Sequence, residues 1–197
     1  MRKLYIILIA FALISTSCFI YNYIDKRSLH HTYHIGQMID SLNGVYVYHN
    51  VRVSHSEGRN TSKDGYNIGL KYQCVEFVKR YYYEYYHHKM PDSYGNAKDF
   101  YDNKIKDGEL NSARNLLQFS NPSKSKPKVG DLIILDGHFG NKYGHVAIIS
   151  AINKNSITII QQNPGIFDKS RVDMGLDSAG NKFKIDNARV LGRLRMR

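Results

Sequence analysis

The stretches DLIIL (131–135), HVAIIS (145–150), SITIIQQ (156–162) and ARVLGRLRM (188–196) decide the fold. Each is short, rich in β-branched residues and bounded by Gly or Asn, as strands are. Working backwards from them, the hydrophobic period changes. Between Tyr72 and about His88, the residues Cys74, Phe77, Val78, Tyr81 and Tyr85 recur at helical spacing. Glu76, Lys79, Arg80 and Glu84 take much of the other side, so this is an amphipathic helix, ended by Pro91. Its Tyr-rich end (YYYEYYHHK) reads as a packed flank rather than a stacking platform. Shorter helices are expected around 97–101 and 113–117, a basic loop over 120–128, and an early strand or extended entry between Asn43-Gly44 and Val53. Helices first, then consecutive strands at hairpin spacing, indicate an α+β domain with an antiparallel sheet.

The chain has 197 residues, room for one ordinary domain and a short appendage. A hydrophobic share of 42% with 23% charged residues excludes a wholly disordered chain or a fibrous repeat. Two cysteines exclude a disulfide scaffold and a Cys-rich zinc module. Twenty-eight Lys and Arg against 17 Asp and Glu give +11, which points to an anionic partner or surface. The positive charge is scattered rather than striped, which argues against nucleic acid.

Residues 1–24 are read as a signal peptide or membrane anchor. Two cations precede a run without charge from Leu4 to Ile24. The run is roughly 20 residues, enough to span a hydrocarbon core as a helix. Three fates fit it: a retained anchor, ordinary cleavage, or a lipoprotein with Cys18 as acceptor thiol, although Ser15 stands where the lipobox usually has a bulky aliphatic residue. All three imply export to a bacterial-type envelope. Residues 25–41 are polar and His-rich and read as a linker. His30 and His34 would share a helix face but lack a third ligand nearby, so they are read as solvated. The remainder, 42–197, is the expected domain.

Within that domain Cys74 is the only thiol. It falls in the first turn of the expected helix, where the dipole and unpaired N–H groups favour an anion and lower a thiol's pKa. It is therefore either an inert buried side chain or a nucleophile. His145 alone among nine histidines is embedded in a strongly apolar strand, either as a satisfied core residue or as a base. If the turn near Asn153 pairs 151 with 155, then 145 faces 161, with Cβ atoms roughly 4.5–5.5 Å apart. Gln161 would then accept a proton from one ring nitrogen and leave the other free to act on a thiol. A two-residue turn would put Gln162 there instead.

The segments GLKYQCVEFVKRYYYEYY, PKVGDLIIL, GHVAIIS, ITIIQQN and VLGRLRM together resemble the CHAP family of cysteine amidohydrolases, over about residues 42–196. That family belongs to the papain-like NlpC/P60 group, and the likeness is nearest to the amidase domain of bifunctional glutathionylspermidine synthetase/amidase. The resemblance implies a papain-like NlpC/P60/CHAP fold, Cys74 as nucleophile, His145 as general base and no metal or cofactor. Gln161 falls where glutathionylspermidine amidases have Glu, QQN here against EQN, so it can orient the imidazole but adds no charge. Gln73 and Asn163 are candidate oxyanion or substrate contacts, Asn163 sharing Gln161's face in a regular strand. The expected substrate is peptidoglycan or another peptide-like amide. The alternatives are a glutathionylspermidine-type amidase and a non-catalytic envelope-binding module.

Overall fold

The computed structural model describes residues 2–27, 33–165 and 169–197. Helix α1 (Arg2–Arg27) contains Tyr5–Tyr23, 19 residues long and apolar enough to cross a membrane, none of them buried. Ser15 and Thr16 donate their hydroxyls to the Ala12 carbonyl at 3.0 and 2.7 Å, so these polar groups are satisfied within the helix. His34 lies in a turn closed by the Gln37 N–H at 3.0 Å, and His30 lies outside the described residues.

Strands β1 (Met38–Leu42) and β2 (Val45–Tyr48) form a hairpin. Its two-residue turn, Asn43-Gly44, has φ of 50° and 83°, the left-handed pair that matches strand twist. β1 therefore begins inside the segment expected to be a linker, and β2 ends at Tyr48, short of Val53. A second hairpin, β3 (Arg59–Thr61) and β4 (Asn67–Leu70), leads into helix α2 (Cys74–Tyr85). The helix stops before Pro91 because His87 is left-handed (φ 53°), and the His88 N–H turns back to the Tyr82 carbonyl at 2.9 Å.

The expected helix around 97–101 is a single 3-10 turn, Lys98–Phe100. The one expected around 113–117 is a turn followed by a strand, and its apolar residues serve the sheet. Strands β5 (Leu110–Asn111), β6 (Leu116–Ser120), β7 (Leu132–Leu135), β8 (His145–Ile152), β9 (Ser156–Ile160), β10 (Arg171–Ala179), β11 (Lys182–Asp186) and β12 (Val190–Arg195) form one antiparallel sheet. Its order is β11-β10-β9-β8-β7-β12-β6-β5, so β12 lies between β7 and β6. The edge strand β11 curls back to the chain behind β6. There Ser123 and Phe183 exchange backbone hydrogen bonds of 3.0 and 2.8 Å, and the Asn121 amide pairs with the N–H and C=O of Ile185.

The two sheet faces bury different cores. Ile133, Ala147, Ile149 and Ile159 meet Leu176 and Ile185 on the inside of the curl. Leu132, Ile134, Val146 and Ile148 receive α2 on the other face. Phe77, Val78, Tyr81 and Tyr82 of the helix are all 0% exposed, each worth about 1.5–3 kcal/mol by area. Glu76, Lys79 and Arg80 of the charged side are buried too, because the two N-terminal hairpins cover them, while Glu84 stays exposed. This is the expected α+β fold, a helix docked on an antiparallel sheet.

Candidate active site

The site forms where the sheet opens. β8 pairs with β9 through Ile148↔Ile160 and Ile149↔Ile159, and β9 ends at Ile160. Continued in this register, Gln162 would have faced Val146. Instead the first turn of α2 fills the gap, and Cys74 packs against the cluster that contains Val146. Gln162 ties the turn in place and is 0% exposed. Its Nε2 donates to Gln73 O (3.0 Å) and Glu76 Oε2 (2.9 Å), and its Oε1 accepts the Tyr48 N–H (2.8 Å). Glu76, 1% exposed, also accepts Asn60 Nδ2 and Arg80 Nε, both at 2.7 Å.

This register is two residues away from the expected one, so Gln161 is a diagonal neighbour of His145 rather than its direct partner. A shift of two keeps the face, and a long side chain spans the diagonal. His145 Nε2 and Gln161 Oε1 are 3.0 Å apart. The amide's orientation is set from behind, because Gln161 Nε2 donates to Lys169 O at 2.9 Å and its oxygen must face the ring. With Nε2–H donating to that oxygen, Nδ1 is the unprotonated nitrogen. Both side chains are sheltered, at 7% and 5% exposure.

Cys74 is the first residue of α2 and lines a cleft of about 470 Å³ with Gln73, Gly144 and Asn163; His145 stands next to Gly144, outside the lining. The thiol was expected to be acidified by the helix start. Burial outweighs that effect and pushes it above its usual value, against three lowering hydrogen bonds from the backbone of Val146, Val75 and Cys74 itself. Burial likewise brings His145 down to about 4, opposed by the Gln161 hydrogen bond and helped by Arg189. At neutral pH both shifts favour the uncharged forms, a thiol and a neutral imidazole.

Gln73 and Asn163 are brought together. Asn163 Nδ2 donates to Gln73 Oε1 (2.8 Å), and Gln73 Nε2 donates to the carbonyls of Val53 and His55. Asn163 does not continue the β9 alternation; its φ of 51° is left-handed, a conformation asparagine tolerates. The Gln73 amide is therefore occupied in holding the 53–55 loop against the helix start. Cys18 is exposed on α1, apart from this cluster. The sequence does not reveal that Gln162 and Glu76 tie this turn in place: Gln162 reads only as an alternative partner for His145, and a carboxylate on the polar side of a helix normally signals solvent.

The helix start lies in the open seam of an antiparallel sheet, with Cys74 as its first residue and the His145–Gln161 pair at the start of β8 and just past β9. The chain belongs to the CHAP-domain family, whose model matches residues 63–163 and so takes in Cys74, His145, Gln161 and Asn163. It is also similar to a trypanothione synthetase of Crithidia fasciculata, with 28% identity over 119 residues, 60% of this chain and 18% of that protein. The chain thus spans less than a fifth of that relative's length. The family match points to a hydrolase acting on amide bonds.

Proposed function

We propose that the protein is an exported cysteine amidohydrolase that cleaves amide bonds of cell-wall peptidoglycan with Cys74, His145 and Gln161. The observation that carries this reading is the thiol of Cys74 lining the cleft beside Gly144, with the next residue, His145, held by Gln161 at 3.0 Å. His145 Nδ1 takes the thiol proton as sulfur attacks the carbonyl carbon. Backbone N–H groups at the start of α2 hold the oxyanion. The imidazolium gives its proton to the leaving amine, producing a thioester on Cys74. His145 then deprotonates water, which releases the acid and regenerates the thiol. Gln161 holds the ring without adding charge.

Export and the wall as substrate rest on α1 together with the net charge of +11, which suits an anionic envelope. The similarity to a trypanothione synthetase supports a second reading, amidase action on a glutathionylspermidine-type conjugate. Against it, the described residues lining the cleft include no acid to receive a polyamine. Purified wall treated with wild type or Cys74→Ala decides the matter: soluble peptide fragments are expected from wild type alone. Equal release by both proteins overturns the mechanism, and release from the conjugate but not the wall favours the second reading.

A further inference from the structure

Arg59 is the one formally charged residue among the described residues that line the cleft. It extends from β3, donates through Nη1 to Asn67 Oδ1 at 2.8 Å, and its guanidinium lies 5.7 Å from the Tyr94 ring centre. Among the described residues no carboxylate forms an ion pair with it. Two further cations stand directly behind this wall. Lys79, 1% exposed, donates to the carbonyls of Asn67 and Ser93, both lining residues. Arg114, also 1% exposed, donates to the carbonyls of Asp92 and Tyr94, and its Nη2 lies 3.2 Å from where a Cβ on Gly95 would sit. Its Nε is buried without a hydrogen-bond partner.

Asp92 and Asp99 offset part of this charge from outside. Burial first, then repulsion from Arg114 and Arg59, brings Lys79 down to about 8, in keeping with a positive field. Carbonyls absorb the donors of Lys79 and several of Arg114 without neutralising them, and a low-dielectric wall carries their field into the cleft. The planar fork of Arg59 suits a carboxylate, which it can bind through two parallel hydrogen bonds.

We propose that Arg59 forms a carboxylate subsite, which makes the protein selective for peptides bearing a free carboxylate near the scissile amide. This rests on the hydrolase reading above, with Cys74 as nucleophile. Soluble muropeptides are prepared with their carboxyl groups free or blocked as carboxamides, and kcat/KM is measured on both. Wild type should prefer the free acid by about 10- to 100-fold. Arg59→Gln should bring that ratio close to one, and Arg59→Lys should restore part of it. A ratio unchanged by Arg59→Gln overturns the subsite.

A binding arm works without turnover. Cys74→Ala, with and without Arg59→Gln, is titrated with the free-acid muropeptide in a calorimeter. Affinity lost with Arg59→Gln and unaffected by blocking the carboxyl groups overturns the inference. Affinity lost only for the free acid supports it, even if Cys74→Ala still hydrolyses wall and the hydrolase reading falls.

Discussion

Two residues set the acid–base behaviour, and both are kept uncharged by burial. His145, with an ordinary value of 6.5, is brought down to about 4. Its folded pKa is depressed below the unfolded one, so the unfolded chain takes up the proton first as pH falls. Stability is therefore full above pH 6.5 and declines between there and about 4, by on the order of 3 kcal/mol. Urea melts at pH 7 and pH 4.5 should show that decline, and His145→Phe should flatten it. Turnover should follow the same groups, with kcat/KM level from about pH 5 to 8 rather than bell-shaped around neutrality. Gln161→Glu gives the ring a charged partner and should move the acid limb upward, readable in the same profile. Gln161→Ala removes the acceptor that selects the tautomer, and a kcat reduced about 10-fold or more is expected. Unchanged turnover would remove Gln161 from the mechanism.

Among the elements, α2 is the least like an ordinary surface helix. Its first turn is held by the buried Gln162–Glu76–Arg80 network, with Arg80 donating to the Tyr46 carbonyl at 2.8 Å. Replacing Gln162 with Leu strands the Tyr48 N–H and one Glu76 oxygen, at about 1–3 kcal/mol each. Thermal melting should show the loss, and activity should fall with it as the nucleophile's turn loosens. Gly69 allows β4 to approach the helix. With φ of 142° and a Cβ position 2.9 Å from Glu76 Cα, Gly69→Ala should destabilise by about 1–3 kcal/mol in a denaturant titration. The apolar side of α2 and the strands around His145 were legible in the sequence, since period and β-branching record what faces the core. The burial of Glu76, Lys79 and Arg80 was not, because charge patterning assumes water on the polar side and cannot foresee the two hairpins that precede the helix. The pairing of Gln161 with His145 was found through a register that proved wrong. Parity survived the error because strand faces repeat every two residues. Asp173, Met174 and Leu176 of β10 passed unnoticed because the Gly and Asp residues around them resemble a loop.

For the whole molecule, charge and topology act separately. A net +11 spread over the surface should hold the protein on anionic wall by screened attraction, so binding to isolated wall should weaken steadily between 50 and 500 mM salt, roughly as the Debye length shortens. Residues 33–197 made without α1 should remain in the soluble fraction and melt at the temperature of the full protein, since the span Tyr5–Tyr23 has no buried residue. Detergent dependence of the shortened protein would contradict that. The placement of β12 bears on how such a molecule is made. Residues 190–195 occupy the middle of the sheet between strands made some 55 to 80 residues earlier. Without them β6 and β7 have no common neighbour, so the sheet is continuous across this point through β12. Its six residues therefore act as a keystone, and weakening them should part the strand that carries His145 from β6 and β5.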